Sequence, residues 1–201
     1  MINTVIFDLG GVLIDWNPDY VFDQVFDDPE RKRFFYQNIC THEWNEEQDA
    51  GRSLQEATEM LVAVHPEWEP EIRAYYGRWR EMLGGALEET VGILEKIKNG
   101  GAHRLYALTN WSAETFPVAL EQFHFLHWFE GIVVSGEEKT RKPFPEFYHI
   151  LLDRYKVEPT RAVFIDDNLR NVEGAMTLGI HGIHFQSPEQ LAASLRERNI
   201  L

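Results

Sequence analysis

Apolar residues run without a break over Val5-Ile6-Phe7, over Leu105-Tyr106-Ala107-Leu108 and over Ala162-Val163-Phe164-Ile165. Short runs of this kind, bounded by polar residues or glycine, predict strands buried on both faces. Further strands are predicted over 131–135 and 182–185. Elsewhere apolar positions recur three and four apart, which predicts helices over 87–98, about 113–122, 146–155, 169–178 and 188–197. From residue 86 onward helix and strand alternate, the rhythm that winds a parallel sheet.

Residues 18–82 have a different texture, aromatic and acidic with helical spacing and no period-two run. Helices are predicted over 19–26, 29–39, 43–49, 53–64 and 69–82. Asp49-Ala50-Gly51-Arg52-Ser53 reads as a helix end followed by a Ser N-cap, and Glu56 completes a capping box. Gly84-Gly85 marks the return. The expected organisation is a discontinuous α/β core, residues 1–15 and 85–201, and a small all-helical cap, residues 16–84.

The predicted strands share one feature: chemistry gathers at their carboxyl ends. Asp8 follows the first, with Gly10-Gly11 allowing a sharp turn; Thr109-Asn110 follow the second. A loop with Lys139, Arg141 and Lys142 follows the strand over 131–135, and Asp166-Asp167 follow the next. In a parallel sheet these ends converge on one edge, where ligands bind. An acidic cluster there can hold magnesium, which prefers hard oxygen ligands, while a lysine neutralises phosphate and a hydroxyl with loop amides orients its oxygens. Asp8 is then a covalent nucleophile that attacks phosphorus, giving an aspartyl-phosphate that water hydrolyses. Taken alone, an aspartate after a strand can equally cap the next element.

Composition narrows the partners. A net charge of −14, from 19 basic and 33 acidic residues, repels nucleic acid and anionic lipid, so neither is expected; the small-molecule phosphate ester expected from the strand-end chemistry needs positive charge supplied locally. No apolar run reaches membrane-spanning length and no basic leader precedes an apolar segment, which gives a cytoplasmic expectation. The single cysteine, Cys40, excludes an intramolecular disulfide and is expected to pack. His65, His124, His127 and His181 lack metal-ligand spacing.

Phe7-Asp8-Leu9-Gly10-Gly11-Val12-Leu13, Leu108-Thr109-Asn110, Arg141-Lys142-Pro143 and Phe164-Ile165-Asp166-Asp167-Asn168, the last with Asn171 and Gly174-Ala175, resemble the four motifs of the haloacid dehalogenase superfamily in order and spacing. The helical stretch resembles its cap. The Asp-Leu-Gly start and Asp-Asp-Asn motif are most similar to bacterial phosphatases of the glucose-1-phosphate type and to the phosphatase domain of soluble epoxide hydrolases. The resemblance implies a Rossmann-like parallel sheet core and a magnesium-dependent phosphatase of a small sugar phosphate. It makes Asp8 nucleophile and metal ligand and the Gly10 carbonyl a second ligand, and it puts Asp167 at the position that usually gives the direct metal contact with Asp166 beside it as a second ligand or a support through water, without separating the two. Leu9, Gly10, Thr109 and Asn110 would hold the phosphate, and Lys142 would bridge it to the nucleophile.

One departure matters. Most phosphatases of this superfamily carry an acidic proton donor two places after the nucleophile, and here that place is Gly10. By location the cap offers Asp15, Asp19, His42, Glu43 and Glu46 as replacements; a good leaving group could also lessen the need. A 2-haloacid dehalogenase, with Asp8 attacking carbon and Arg31, Arg33 or Arg52 holding the carboxylate, is the rival enzyme, and a scaffold binding a phosphorylated ligand is the non-enzyme alternative. Trp44 is the candidate for a specificity loop facing Asp8, whereas Trp16, Trp68 and Trp79 are expected to pack.

Overall fold

In the computed structural model, which describes residues 1–201, the strands in chain order are β1 (Thr4–Phe7), β2 (Ile14–Trp16), β3 (Leu83–Ala86), β4 (Arg104–Thr109), β5 (Gly131–Val134), β6 (Ala162–Asp166) and β7 (His181–His184). Five of them form one parallel sheet in the order β5-β4-β1-β6-β7. The sheet is covered on both faces, so its central strands carry the unbroken apolar runs Val5–Phe7, Leu105–Leu108 and Ala162–Ile165. Val5, Phe7, Leu105, Ala107, Val163 and Ile165 point into one core, while Ile6, Tyr106, Leu108 and Phe164 point into the other. β1 is central, with β4 on one side and β6 on the other. The chain reverses its winding beside β1, at the point where doubly wound sheets open a crevice.

The helices are α1 (Asp19–Val25), α2 (Pro29–Asn38), α3 (His42–Asp49), α4 (Leu54–Val64), α5 (Glu69–Gly77), α6 (Glu88–Gly100), α7 (Phe116–Gln122), α8 (Ser135–Glu138), α9 (Pro145–Tyr155), α10 (Leu169–Thr177) and α11 (Pro188–Glu197). None is long and apolar enough to cross a membrane. α1 to α5 form a layer at the carboxyl edge of the sheet. Its interior is aromatic: Phe22 lies 4.9 Å from Phe35 between ring centroids and also contacts Phe26, Tyr36 and Tyr75. That interior is continuous with one core of the sheet, and Cys40 is buried in it. The Ser53 side chain accepts from the Glu56 amide, so α4 opens on the expected cap.

Four features depart from the sequence reading. β2 and β3 pair antiparallel where only a change of texture and a glycine pair were legible. Gly84 is there for close approach: a Cβ would lie 2.3 Å from Asp15 Oδ2 and 2.5 Å from the Tyr20 ring. The helix expected over 69–82 ends at Gly77 and continues as a tight turn, Trp79–Met82, and the helix after β4 starts only at Phe116. α8 is an additional short helix, and a Cβ on Gly136 within it would lie 2.4 Å from the Ala113 amide nitrogen.

Two glycines test this packing. Gly136→Ala forces backbone against backbone and should cost about 1–3 kcal/mol. Gly92→Ala, in open space within α6, should stabilise by about 0.5–1 kcal/mol through the lost flexibility of glycine. Urea denaturation midpoints should move in opposite directions.

Candidate active site

β1 delivers Asp8 to the sheet edge, and the chain turns immediately: Leu9 carbonyl accepts from the amides of Val12, Leu13 and Ile14 at 3.3, 2.8 and 2.9 Å. Gly11 takes a φ of +72°, open to glycine without strain. β6 delivers Asp166 beside Asp8, and the Asp8 amide donates to Ile165 carbonyl at 2.8 Å. Lys142 arrives from the loop between α8 and α9. Its main chain is clamped by the Asn110 side chain at the end of β4, which accepts from the Lys142 amide at 2.9 Å and donates to the Lys142 carbonyl at 3.1 Å. The fully buried ammonium then sits 2.8 Å from Asp8 Oδ1 and 2.7 Å from Asp166 Oδ2.

The two acidic residues of β6 and its loop differ in their surroundings. Asp166 is wholly buried and saturated, accepting from Lys142, through both carboxylate oxygens from Asn171 Nδ2 at 3.2 Å, and from the Asn168 amide at 2.8 Å. Asp167 is exposed to the cavity, its carboxylate packed on Gly11, where a Cβ would lie 2.4 Å from Oδ2. Its main-chain carbonyl accepts from the His184 ring at 2.9 Å.

Electrostatics follow from the count of charges. Burial works against the Lys142 charge, but Asp166 and Asp8 outweigh it and hold the ammonium above its ordinary range. Burial, together with the repulsion of Asp166 and Asp167, pushes Asp8 up to about 7 despite the pull of Lys142. Asp8, Asp166 and Asp167 offer oxygens within 4.8 Å of one another against one ammonium. Such a set of hard oxygen donors, two negative charges in excess, fits a divalent cation. Thr109 Oγ1, at the end of β4, is buried without any hydrogen-bond partner. A buried unpaired hydroxyl is costly, so this group fits a role toward a ligand.

A cavity of about 240 Å³ opens above these groups. Asp8, Gly10, Lys142 and Asp167 line its floor side, and Trp16, Trp79 and Trp111 contribute indoles to its wall. Trp16 lies 5.6 Å from Trp79 and Trp79 6.5 Å from Trp111 between centroids. α3 contributes His42, Asn45, Glu46 and Asp49.

Several sequence candidates lie elsewhere. Asp15 accepts from the Tyr20 hydroxyl, Asp19 pairs with Lys32 at 3.1 Å, and Glu43 lies exposed in the first turn of α3, which Thr41 caps; none lines the cavity, whereas His42 and Glu46 do. Trp44 packs 5.3 Å from both Tyr75 and Tyr76, so the wall belongs to Trp16, Trp79 and Trp111 instead. The Leu9 side chain is buried in the core, leaving only its main chain toward the edge. The Asn110 side chain is taken up by the Lys142 clamp, so only its backbone amide is left for a ligand. Arg31 pairs with Glu71, Arg33 with Glu30, and Arg52 bonds Gln48 and the Trp44 carbonyl. Asp49 was legible only as a helix end, because periodicity says nothing about which end of a helix meets a sheet. At Gly10 an added Cβ would meet nothing within 4 Å, so sterics do not explain the missing acid.

Fold and site together define a doubly wound α/β protein with an acidic centre at its switch point. A family model of haloacid dehalogenase-like hydrolases matches residues 2–179, and the chain belongs to this family of hydrolases. It is 27% identical to the sesquiterpene phosphatase astK of Aspergillus oryzae over 96% of this chain and 94% of that protein. It is 26% identical to a phosphorylated carbohydrates phosphatase of Thermotoga maritima over 90% of this chain and 83% of that protein. Among solved structures, the HAD family enzyme bt-2542 of Bacteroides thetaiotaomicron, in its magnesium complex, shares the fold with a TM-score of 0.74 at 22% identity, covering 97% of this chain and 98% of that one.

Removing the ammonium should expose how much the centre depends on it. Lys142→Met leaves Asp8 and Asp166 facing each other without a cation, and the expected loss is about 3–5 kcal/mol in urea denaturation without added metal.

Proposed function

We propose that the protein is a magnesium-dependent phosphatase of a small phosphorylated metabolite, of the sugar-phosphate class, working through an aspartyl-phosphate on Asp8. The observation that carries this reading is the Lys142 ammonium held between Asp8 and Asp166 beside a third carboxylate, Asp167. An anionic ester can approach Asp8 only where its charge is met, and phosphoryl transfer is chiefly positioning and charge stabilisation. Asp8, the Gly10 carbonyl and Asp167 would hold magnesium, with Asp166 fixing Lys142 from behind. The bound ion would cancel the excess negative charge and so favour the ionised, nucleophilic form of Asp8.

The residues of this chain then have distinct tasks. An Asp8 carboxylate oxygen attacks phosphorus in line with the leaving oxygen. Lys142 draws charge from the transferring group while keeping Asp8 oriented. Thr109 Oγ1 supplies its unused hydrogen bond to a phosphoryl oxygen, and the backbone amides of Leu9, Gly10 and Asn110 cradle the others. Residues 16–84 act as the cap that closes over the ester. The relatives named as phosphatases support the reaction class. The dehalogenase reading lacks its carboxylate partner, since Arg31, Arg33 and Arg52 are engaged away from the cavity.

A screen of sugar phosphates and p-nitrophenyl phosphate, with magnesium and with chelator, tests the proposal. Turnover should require magnesium, and Asp8→Asn should lower kcat by at least about a thousandfold; turnover surviving that change, or chloride release from 2-chloropropionate without metal, would overturn it. Asp167→Asn should raise the magnesium concentration for half-maximal activity by about tenfold or more.

A further inference from the structure

Expelling an alcohol from phosphorus requires a proton at the leaving oxygen, and hydrolysing an acyl phosphate requires a base for water. The groups so far described cannot exchange that proton. Asp8 attacks, Lys142 and Asp166 neutralise each other, and Asp167 would hold the cation. On α3, Glu46 is pinned by Arg141 at 2.9 Å and Arg170 at 2.8 Å, and His42, exposed at the rim, leans on it at 3.4 Å.

Asp49 stands apart from these. Its side chain lines the same cavity as Asp8 and accepts from Asn45 Nδ2 at 3.2 Å, with no ion pair. Its main chain is fixed to the sheet edge, because Ser135 Oγ donates to the Asp49 carbonyl while accepting from the Trp111 amide at 2.9 Å. The chain then turns through Gly51 at a φ of +99°, where a Cβ would lie 3.1 Å from Gly136 carbonyl oxygen. The end of α3 is therefore locked onto the residues that follow Thr109-Asn110 and β5.

We propose that Asp49 is the general acid and base of this site, a role that rests on the phosphatase reading above. In the first half-reaction the bond from Asp8 to phosphorus forms and the ester P–O bond breaks. The Asp49 carboxyl passes its proton to the departing oxygen, giving the neutral alcohol. In the second, the Asp49 carboxylate takes a proton from water as that water's oxygen bonds to phosphorus and the bond to Asp8 breaks. Phosphate leaves, Asp8 returns as carboxylate and Asp49 as carboxylic acid, with one water consumed. The protonated form is accessible: burial and the neighbouring Glu46 push Asp49 up to about 7, against the pull of Arg141 and Lys142 from the loop before α9. Asp8 and Asp167 share its cavity and act in the same upward sense.

Aryl phosphates of graded leaving-group acidity, from p-nitrophenyl to phenyl, separate a proton donor from a merely structural residue. With magnesium present, Asp49→Asn should lower kcat/KM for phenyl phosphate by about 10²–10⁴ and for p-nitrophenyl phosphate far less, so the dependence on leaving group steepens. In the unaltered protein the alkaline limb of kcat/KM for phenyl phosphate should fall near pH 7 and be weaker for the p-nitrophenyl ester, a measurement that needs no variant to fold. Equal losses on both esters in Asp49→Asn, or identical pH profiles for the two esters in the unaltered protein, would overturn the role of Asp49 alone. Absence of turnover on every ester, or its survival in Asp8→Asn, would instead remove the phosphatase reading.

Discussion

A single buried ammonium holds the carboxyl edge of this protein together. Lys142 is surrounded by β1, β6 and the loop it belongs to, with no exposed surface, and its charge is balanced by Asp8 and Asp166. A lone charge in such a place costs several kcal/mol, so the residues around it are tightly constrained. Asn110 must clamp its main chain, Asn171 and the Asn168 amide must complete Asp166, and the first turn must bring Asp8 within reach. The arrangement still leaves Asp167 without a cationic partner, and the surplus negative charge of the three carboxylates fits a divalent cation.

The helical layer is tied to this edge by polar contacts of two kinds. Glu46 bridges to Arg141 and Arg170, charges whose neighbours in the chain are Lys142 and Asn171. The Glu114 carboxylate accepts from the Leu54 amide at 2.8 Å, and Ser135 joins Trp111 to the end of α3. Apolar packing is continuous beneath these links, with Trp79 between Trp16 and Trp111. The cavity wall is thus built from distant parts of the chain.

Family membership and the local chemistry agree on a hydrolase. Gly10 is where this chain parts from most phosphatases of the superfamily it resembles, and the open space around it means that crowding does not account for the missing acid. A group on the helical layer performing that task would couple chemistry to the seating of the layer over the substrate.

Sequence alone determined the sheet and its chemistry-bearing ends. Strands buried on both faces leave unbroken apolar runs, and a carboxylate, hydroxyl or lysine just beyond such a run has nowhere to go but the edge. It did not determine β2 and β3, three and four residues long, which are too short for any period to register. Nor did it separate Asp166 from Asp167, since which one is buried depends on the turn after β6 and on Asn171 one helical turn later. The cavity wall lay further out of reach: that Trp44 packs inward among Tyr75 and Tyr76 while Trp16, Trp79 and Trp111 line the cavity, and that Asp49 lines it while Asp15 and Asp19 do not, depends on the rotation and docking of α3. Those are set by contacts between segments 60 to 95 residues apart, such as Leu54 with Glu114 and Glu46 with Arg141, and periodicity within one segment carries no information about them.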